Sequence, residues 1–109
     1  MTTYFRTKVE AGIGTNEVSL LATTPTNIYT VIGLSLANVI DEDVIVNIYI
    51  TDNTSTKGYY IRELIISPYT SAKLVQNGEK IVLGNNCTLS LISDTASSID
   101  AIVSFAEIA

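Results

Sequence analysis

A chain of 109 residues with 11 acidic against 6 basic side chains carries a formal net charge of −5, and it holds no histidine, no tryptophan and one cysteine. That length buries one sandwich-sized core but not two, so residues 1–109 read as a single domain, and 47% hydrophobic content excludes a wholly disordered chain. Arg6, Lys8, Lys57, Arg62, Lys73 and Lys80 are scattered singly, which argues against nucleic acid and anionic membranes, both of which need clustered cations.

Tyr4 to Val9 is a first strand closed by Ala11-Gly12-Ile13-Gly14, and residues 1–14 read as an N-terminal arm or strand with a glycine hinge. Glu17 to Ala22 is short and ends at Thr23-Thr24-Pro25-Thr26-Asn27, where Pro25 cannot join a central ladder. Ile28 to Asn38 is the longest candidate. Ile28, Ile32, Leu34 and Leu36 share one parity with Thr30, and the mostly small groups of the other parity (Gly33, Ser35, Ala37) suit close approach by another sheet or subunit. Asp41-Glu42-Asp43 turns the chain into Val44–Thr51, where one parity (Val44, Val46, Ile48 and Ile50) is wholly aliphatic. A two-residue period is the mark of a half-buried strand.

Asp52-Asn53-Thr54-Ser55-Thr56 is a turn, followed by a strand over Tyr59–Ser67 and by Ser71–Gln76. Asn77-Gly78 is a two-residue hairpin signal, because both central positions of a type I′ turn need positive φ. Ile81–Leu83, Cys87–Ser93 and Ile99–Ile108 complete eight or nine strands, with turn signals every 8 to 12 residues. This predicts an all-β chain: an antiparallel β-sandwich, jelly-roll or immunoglobulin-like, with a small barrel as the alternative. Ile32, Leu34, Val46, Ile48, Leu89, Leu91, Val103 and Phe105 are the expected core.

Chemistry is sparse. Asp41–Asp43 offers oxygens for Ca²⁺, but three consecutive acids lack the spacing of a calcium loop and read as a solvated turn. Cys87 has no histidine to act as its base, so an inert, buried thiol is expected. Gly12-Ile13-Gly14 lacks the third glycine and following helix of a phosphate cradle. Tyr59 and Tyr60 lie on opposite parities, one ring inward and one outward. With Tyr4, Tyr29, Tyr49 and Tyr69 they suit either ordinary strand positions or a sugar- or protein-binding surface. No catalytic, cofactor or metal residue is assigned, and no enzyme, cofactor or small-molecule substrate is expected. A lone cysteine fits synthesis in a reducing cytoplasm, and residues 1–6 lack a signal-peptide pattern.

Several segments together resemble small virion structural proteins of tailed bacteriophages, particularly cyanobacterial and marine ones. They are Tyr4–Val9, Thr30–Asn38, Lys57-Gly58-Tyr59-Tyr60-Ile61, Asn77–Lys80 before Ile81–Leu83, and Val103–Ile108. The resemblance implies a virion component present in many copies; together with the lack of catalytic residues, the expected role is a non-enzymatic capsid decoration (cement) or other accessory particle protein. Its expected partners are its own copies and other capsid or tail proteins. Separately, edge strands with few gatekeepers and the Gly12-Ile13-Gly14 hinge place residues 2–9 in the contact. A receptor- or carbohydrate-binding module of the tail, fibre or neck is the alternative.

Overall fold

A computed structural model describes residues 2–109. Its strands are β1 (Thr3–Ile13), β2 (Val18–Ala22), β3 (Ile28–Asn38), β4 (Val44–Thr51), β5 (Lys57–Ile66), β6 (Ser71–Val75), β7 (Ile81–Leu83), β8 (Thr88–Ser93) and β9 (Ile99–Ile108). No helix occurs among the described residues.

One sheet has the order β1-β9-β3-β6, with β7 also on β3, and the other has the order β2-β8-β4-β5. Every pairing is antiparallel. Both β6 and β7 run antiparallel to the same β3, so they are one strand with an interruption. Counted that way there are eight strands, and the chain crosses to the other sheet at every connection except the β4–β5 hairpin. This is a jelly roll. An immunoglobulin-like order does not fit these crossings, and both sheets keep free edges, so the barrel alternative falls too.

The core lies between the sheets, built by the inward residues of each strand. Of the eight expected core residues, Leu34, Val46, Ile48, Leu89, Leu91, Val103 and Phe105 are buried. Ile32 is not: it is 42% exposed. The reason is a register shift between Val31 and Gly33 in the β3–β9 pairing. One extra residue there reverses the parity of the strand, so Val31 takes the inward seat and Ile32 is expelled.

The partner strand breaks at the same level, since Val31 pairs with Ile81 and Leu34 with Val75. Between them, Asn77 and Gly78 have φ of 56° and 86°, and the Glu79 N–H donates to the Gln76 carbonyl at 3.1 Å. The backbone demand read from Asn77-Gly78 is therefore met, but the hairpin expected from it is not. The turn is an excursion within one strand, directed by the bulge beside it.

Strand β1 is hydrogen-bonded to β9 and runs past the expected end at Val9. Its pairing shifts between Glu10 and Ile13, where Gly12 adopts φ +67° and donates its N–H to Asp100 Oδ1 at 2.9 Å. Ile13 is buried, and a Cβ on Gly14 would meet the Ser97 nitrogen at 3.0 Å. Residues 12–14 are thus a packed bulge, not a free hinge. Gly12→Ala meets no atom within 4 Å, so its expected cost is only the left-handed backbone, about 1–2 kcal/mol. Denaturant unfolding checks this, and an unchanged midpoint would contradict the conformation.

Candidate functional site

Strand register places whole rows of side chains on the outer face of the β1-β9-β3-β6 sheet. One row is Phe5–Ala106–Thr30–Val82, the next Thr7–Ser104–Gly33, and the next Val9–Ile102–Ser35–Lys73. These rows contain a single charge, Lys73. Phe5 is 79% exposed, and Val9, Val82 and Ile102 are exposed as well. Down the middle, Ala106, Ser104, Gly33 and Ser35 keep the surface low, and a shallow depression of about 220 Å³ lies over Gly33, Ser35, Ile102 and Ser104. The small-residue face read from β3 is therefore real for Gly33, Ser35 and Ala37, whereas Tyr29 and Val31 of the same parity point inward because of the bulge.

The outer face of the other sheet is different in kind. Tyr49 and Tyr59 lie 4.8 Å apart between ring centroids, with the Lys57 ammonium over Tyr49 and the Arg62 guanidinium over Tyr59. Lys57 also pairs with Glu17. The two cations on this face lie over aromatic rings, as expected of a solvated surface, and Ile65 is also exposed on it. Tyr59 is exposed, while Tyr60 on the next position packs against the core. Burial pushes the Tyr60 phenol above its ordinary pKa, with Glu79 adding to the shift. Tyr4 lies on β1 under Arg6, and Tyr69 is exposed in the β5–β6 loop, so the exposed tyrosines do not gather at one end.

The remaining sequence candidates do not assemble a reactive centre. Asp41, Glu42 and Asp43 are exposed in the β3–β4 loop, and no group of three or more metal-ligating side chains forms among the described residues. Cys87 is half-buried just before β8, not buried within it. Its N–H donates to Thr23 Oγ1 at 2.8 Å and its thiol faces the Asn85 carbonyl at 3.6 Å, so its contacts pin a loop. Asp52 organises the β4–β5 turn. The Thr54 hydroxyl, then the Thr54 and Thr56 N–H groups, hold its carboxyl below the usual range.

Sequence reasoning missed Asn38, whose buried amide ties two loops, and the Ser93–Ser98 hydroxyl pair at 2.9 Å, which anchors the β8–β9 loop. Only their polar identity beside apolar strand residues signalled them.

No family model matches the sequence, and no curated protein matches it. Solved structures do. A chain of the disulfide-linked pili that form Bacillus endospore appendages superposes with a TM-score of 0.57 at 11% identity, covering 97% of this chain and 87% of that one. A chain of infectious bursal disease virus, Gx strain, also gives 0.57, at 12% identity, covering 95% of this chain and 33% of that one. This protein thus spans about a third of the viral chain. The fold is shared and the sequence is not. A pentameric capsid protein isolated from metagenomic phage sequences is more distant, at a TM-score of 0.43 and 18% identity, covering 94% of this chain and 58% of that one.

Proposed function

We propose that this protein is a non-enzymatic structural component of a bacteriophage virion, a capsid decoration (cement) or other accessory particle protein that docks through the outer face of the β1-β9-β3-β6 sheet. The observation that carries the reading is the contrast between the two outer faces. One carries Lys57 and Arg62 over its tyrosines and also exposes Ile65, and the other has Lys73 as the one charge in its three central rows, with Phe5, Val9, Val82 and Ile102 around a floor of small residues. Four exposed apolar side chains grouped on one face are a common mark of a protein contact. The sequence resemblance to phage virion proteins and the likeness in fold to a chain of a virus support the same reading. Jelly rolls also serve as lectins and cupins, so fold alone does not carry it. Cupin-type chemistry would need metal ligands that a chain without histidine offers poorly. The alternative, a receptor- or sugar-binding module, rests on the Tyr49–Tyr59 pair, whose faces are already occupied by Lys57 and Arg62.

The test is binding of purified protein to particles that lack it, with copy number and position read by electron microscopy. Ile102→Glu is expected to lower occupancy at least about tenfold, since a charge buried without a partner costs more than 1.4 kcal/mol, while leaving the unfolding midpoint close to wild type. Tyr59→Ala is expected to bind normally. Loss of binding with Tyr59→Ala but not with Ile102→Glu would favour the receptor module and overturn the decoration reading.

A further inference from the structure

The free edge of β1 is a surface distinct from the docking face. Thr2 and Ala109 exchange both backbone hydrogen bonds, at 2.8 and 3.0 Å. The register continues without a shift from Thr3↔Ile108 to Glu10↔Ala101. Because hydrogen-bonded and non-hydrogen-bonded pairs alternate in an antiparallel ladder, Tyr4, Arg6, Lys8 and Glu10 spend their backbone groups on β9. Thr3, Phe5, Thr7 and Val9 therefore aim theirs outward, at the edge. Thr3 to Val9 is exposed on both faces, so the opposite sheet does not cover this edge.

Edges of this kind are normally blunted, and here the inward-facing Arg6 and Lys8 do so. Arg6 is neutralised by Glu107 at 2.7 Å. Lys8 and Glu10 stand two residues apart on the same face of β1, opposite Val103 and Ala101. We propose that β1 pairs antiparallel with β1 of a second copy, Val9 lying opposite Val9 on the two-fold axis, which sets each Lys8 against Glu10 of the other copy.

Backbone and charge favour this register, since centring on Phe5 would pair Tyr4 with Arg6 and leave Lys8 and Glu10 without opposite charges. A closed two-fold pairing must match outward-facing residues with one another, so the axis sits at a residue and not between two. Moving it to Lys8 opposes two lysines, and moving it to Thr7 opposes Arg6 with Lys8 twice. Centred on Val9, every charged residue within the paired segment meets its opposite, and Thr7 meets Ala11. Gly12, with its bulge, ends the ladder just beyond Ala11. The Val9–Ile102–Ser35 row then runs unbroken from one copy into the next, joining two docking faces into one. The edge thus repels a generic strand and admits its own copy.

This inference builds on the particle reading, but it is tested on the free protein in solution, so each can fail alone. Mass measurement by light scattering across a concentration series is expected to show wild-type dimers. Lys8→Glu should shift them to monomers, and the double swap Lys8→Glu with Glu10→Lys should restore dimers. In a Cys87→Ser background, Val9→Cys is expected to form an interchain disulfide, since its α-carbons would lie about 5.5 Å apart. Phe5→Cys is expected to form none. A wild-type protein that stays monomeric throughout, a swap that fails to restore the dimer while remaining folded by circular dichroism, or crosslinking at Phe5 but not Val9 would each overturn the pairing. Particle binding by a monomeric protein would leave the decoration reading standing.

Discussion

Asn38→Ala is expected to destabilise the protein by about 2–4 kcal/mol, because it strips partners from one buried and three part-buried backbone groups at once. Asn38 is 2% exposed at the end of β3. Its amide nitrogen faces the carbonyls of Glu42 at 2.7 Å, Ile66 at 2.9 Å and Ser67 at 3.2 Å, and its oxygen accepts from the Ile40 N–H at 3.0 Å. One side chain thus holds the β3–β4 loop against the β5–β6 loop at the end of the sandwich. Alanine leaves those groups to whatever water can reach them. Asn38→Asp adds a sign that separates this account from simple loss of packing. A carboxylate there would face carbonyl oxygens, which with burial raises its folded pKa above the unfolded carboxylate value. Below the unfolded value both states are protonated and the penalty is absent. As pH rises through that value toward the folded one, the penalty grows. Urea midpoints of Asn38→Asp relative to wild type should therefore fall as pH rises, and a pH-independent difference would defeat the account.

The sequence showed strands wherever parity held without interruption. Val44–Thr51 keeps its parity, with Val44, Val46 and Ile48 buried as the pattern names and Ile50 half-buried at its end. Ile99–Phe105 behaves the same way. Parity misled at β3 because a bulge is invisible to a two-residue period: Val31 and Ile32 are both β-branched and apolar, and either could take the inward seat. Nothing local distinguishes them. The choice is made by β9, where Val31 lies opposite Phe105 and Gly33 opposite Ser104. Asn77-Gly78 misled for a related reason. Its left-handed backbone is a local property and was legible, whereas which strands flank the turn depends on β3, more than forty residues earlier.

The candidate surface was legible only in part. Small residues on β3 signalled a close approach, and Gly33, Ser35 and Ala37 do face outward. Their neighbours Phe5, Ile102 and Val82 come from strands distant in sequence, so no window along the chain could have assembled them. Jelly-roll crossing brings the first and last strands side by side, which makes β1 both the flank of the docking face and a free edge. A sandwich built from hairpins would have separated those two properties. Both proposed contacts follow from that single topological fact.

Leu91→Ala and Ile32→Ala are expected to differ sharply, although both remove an aliphatic side chain from a strand. Leu91 sits on β8, 1% exposed, between Val18 of β2 and Ile48 of β4, with the opposite sheet over it. Its loss leaves a cavity that strands pinned on both sides cannot collapse, so about 2–5 kcal/mol is expected. Ile32 projects from the β3 bulge with 42% of its surface exposed. Truncating it removes less buried area and leaves no enclosed void, so the expected loss is below about 1 kcal/mol. Denaturant midpoints of the two variants, with equal slopes, measure the contrast directly. Comparable losses would mean that Ile32 is packed in the core and that β3 keeps a single parity throughout. In that case Val31 would turn outward in its place, and Val31→Ala, otherwise expected to be strongly destabilising, would be the nearly neutral change.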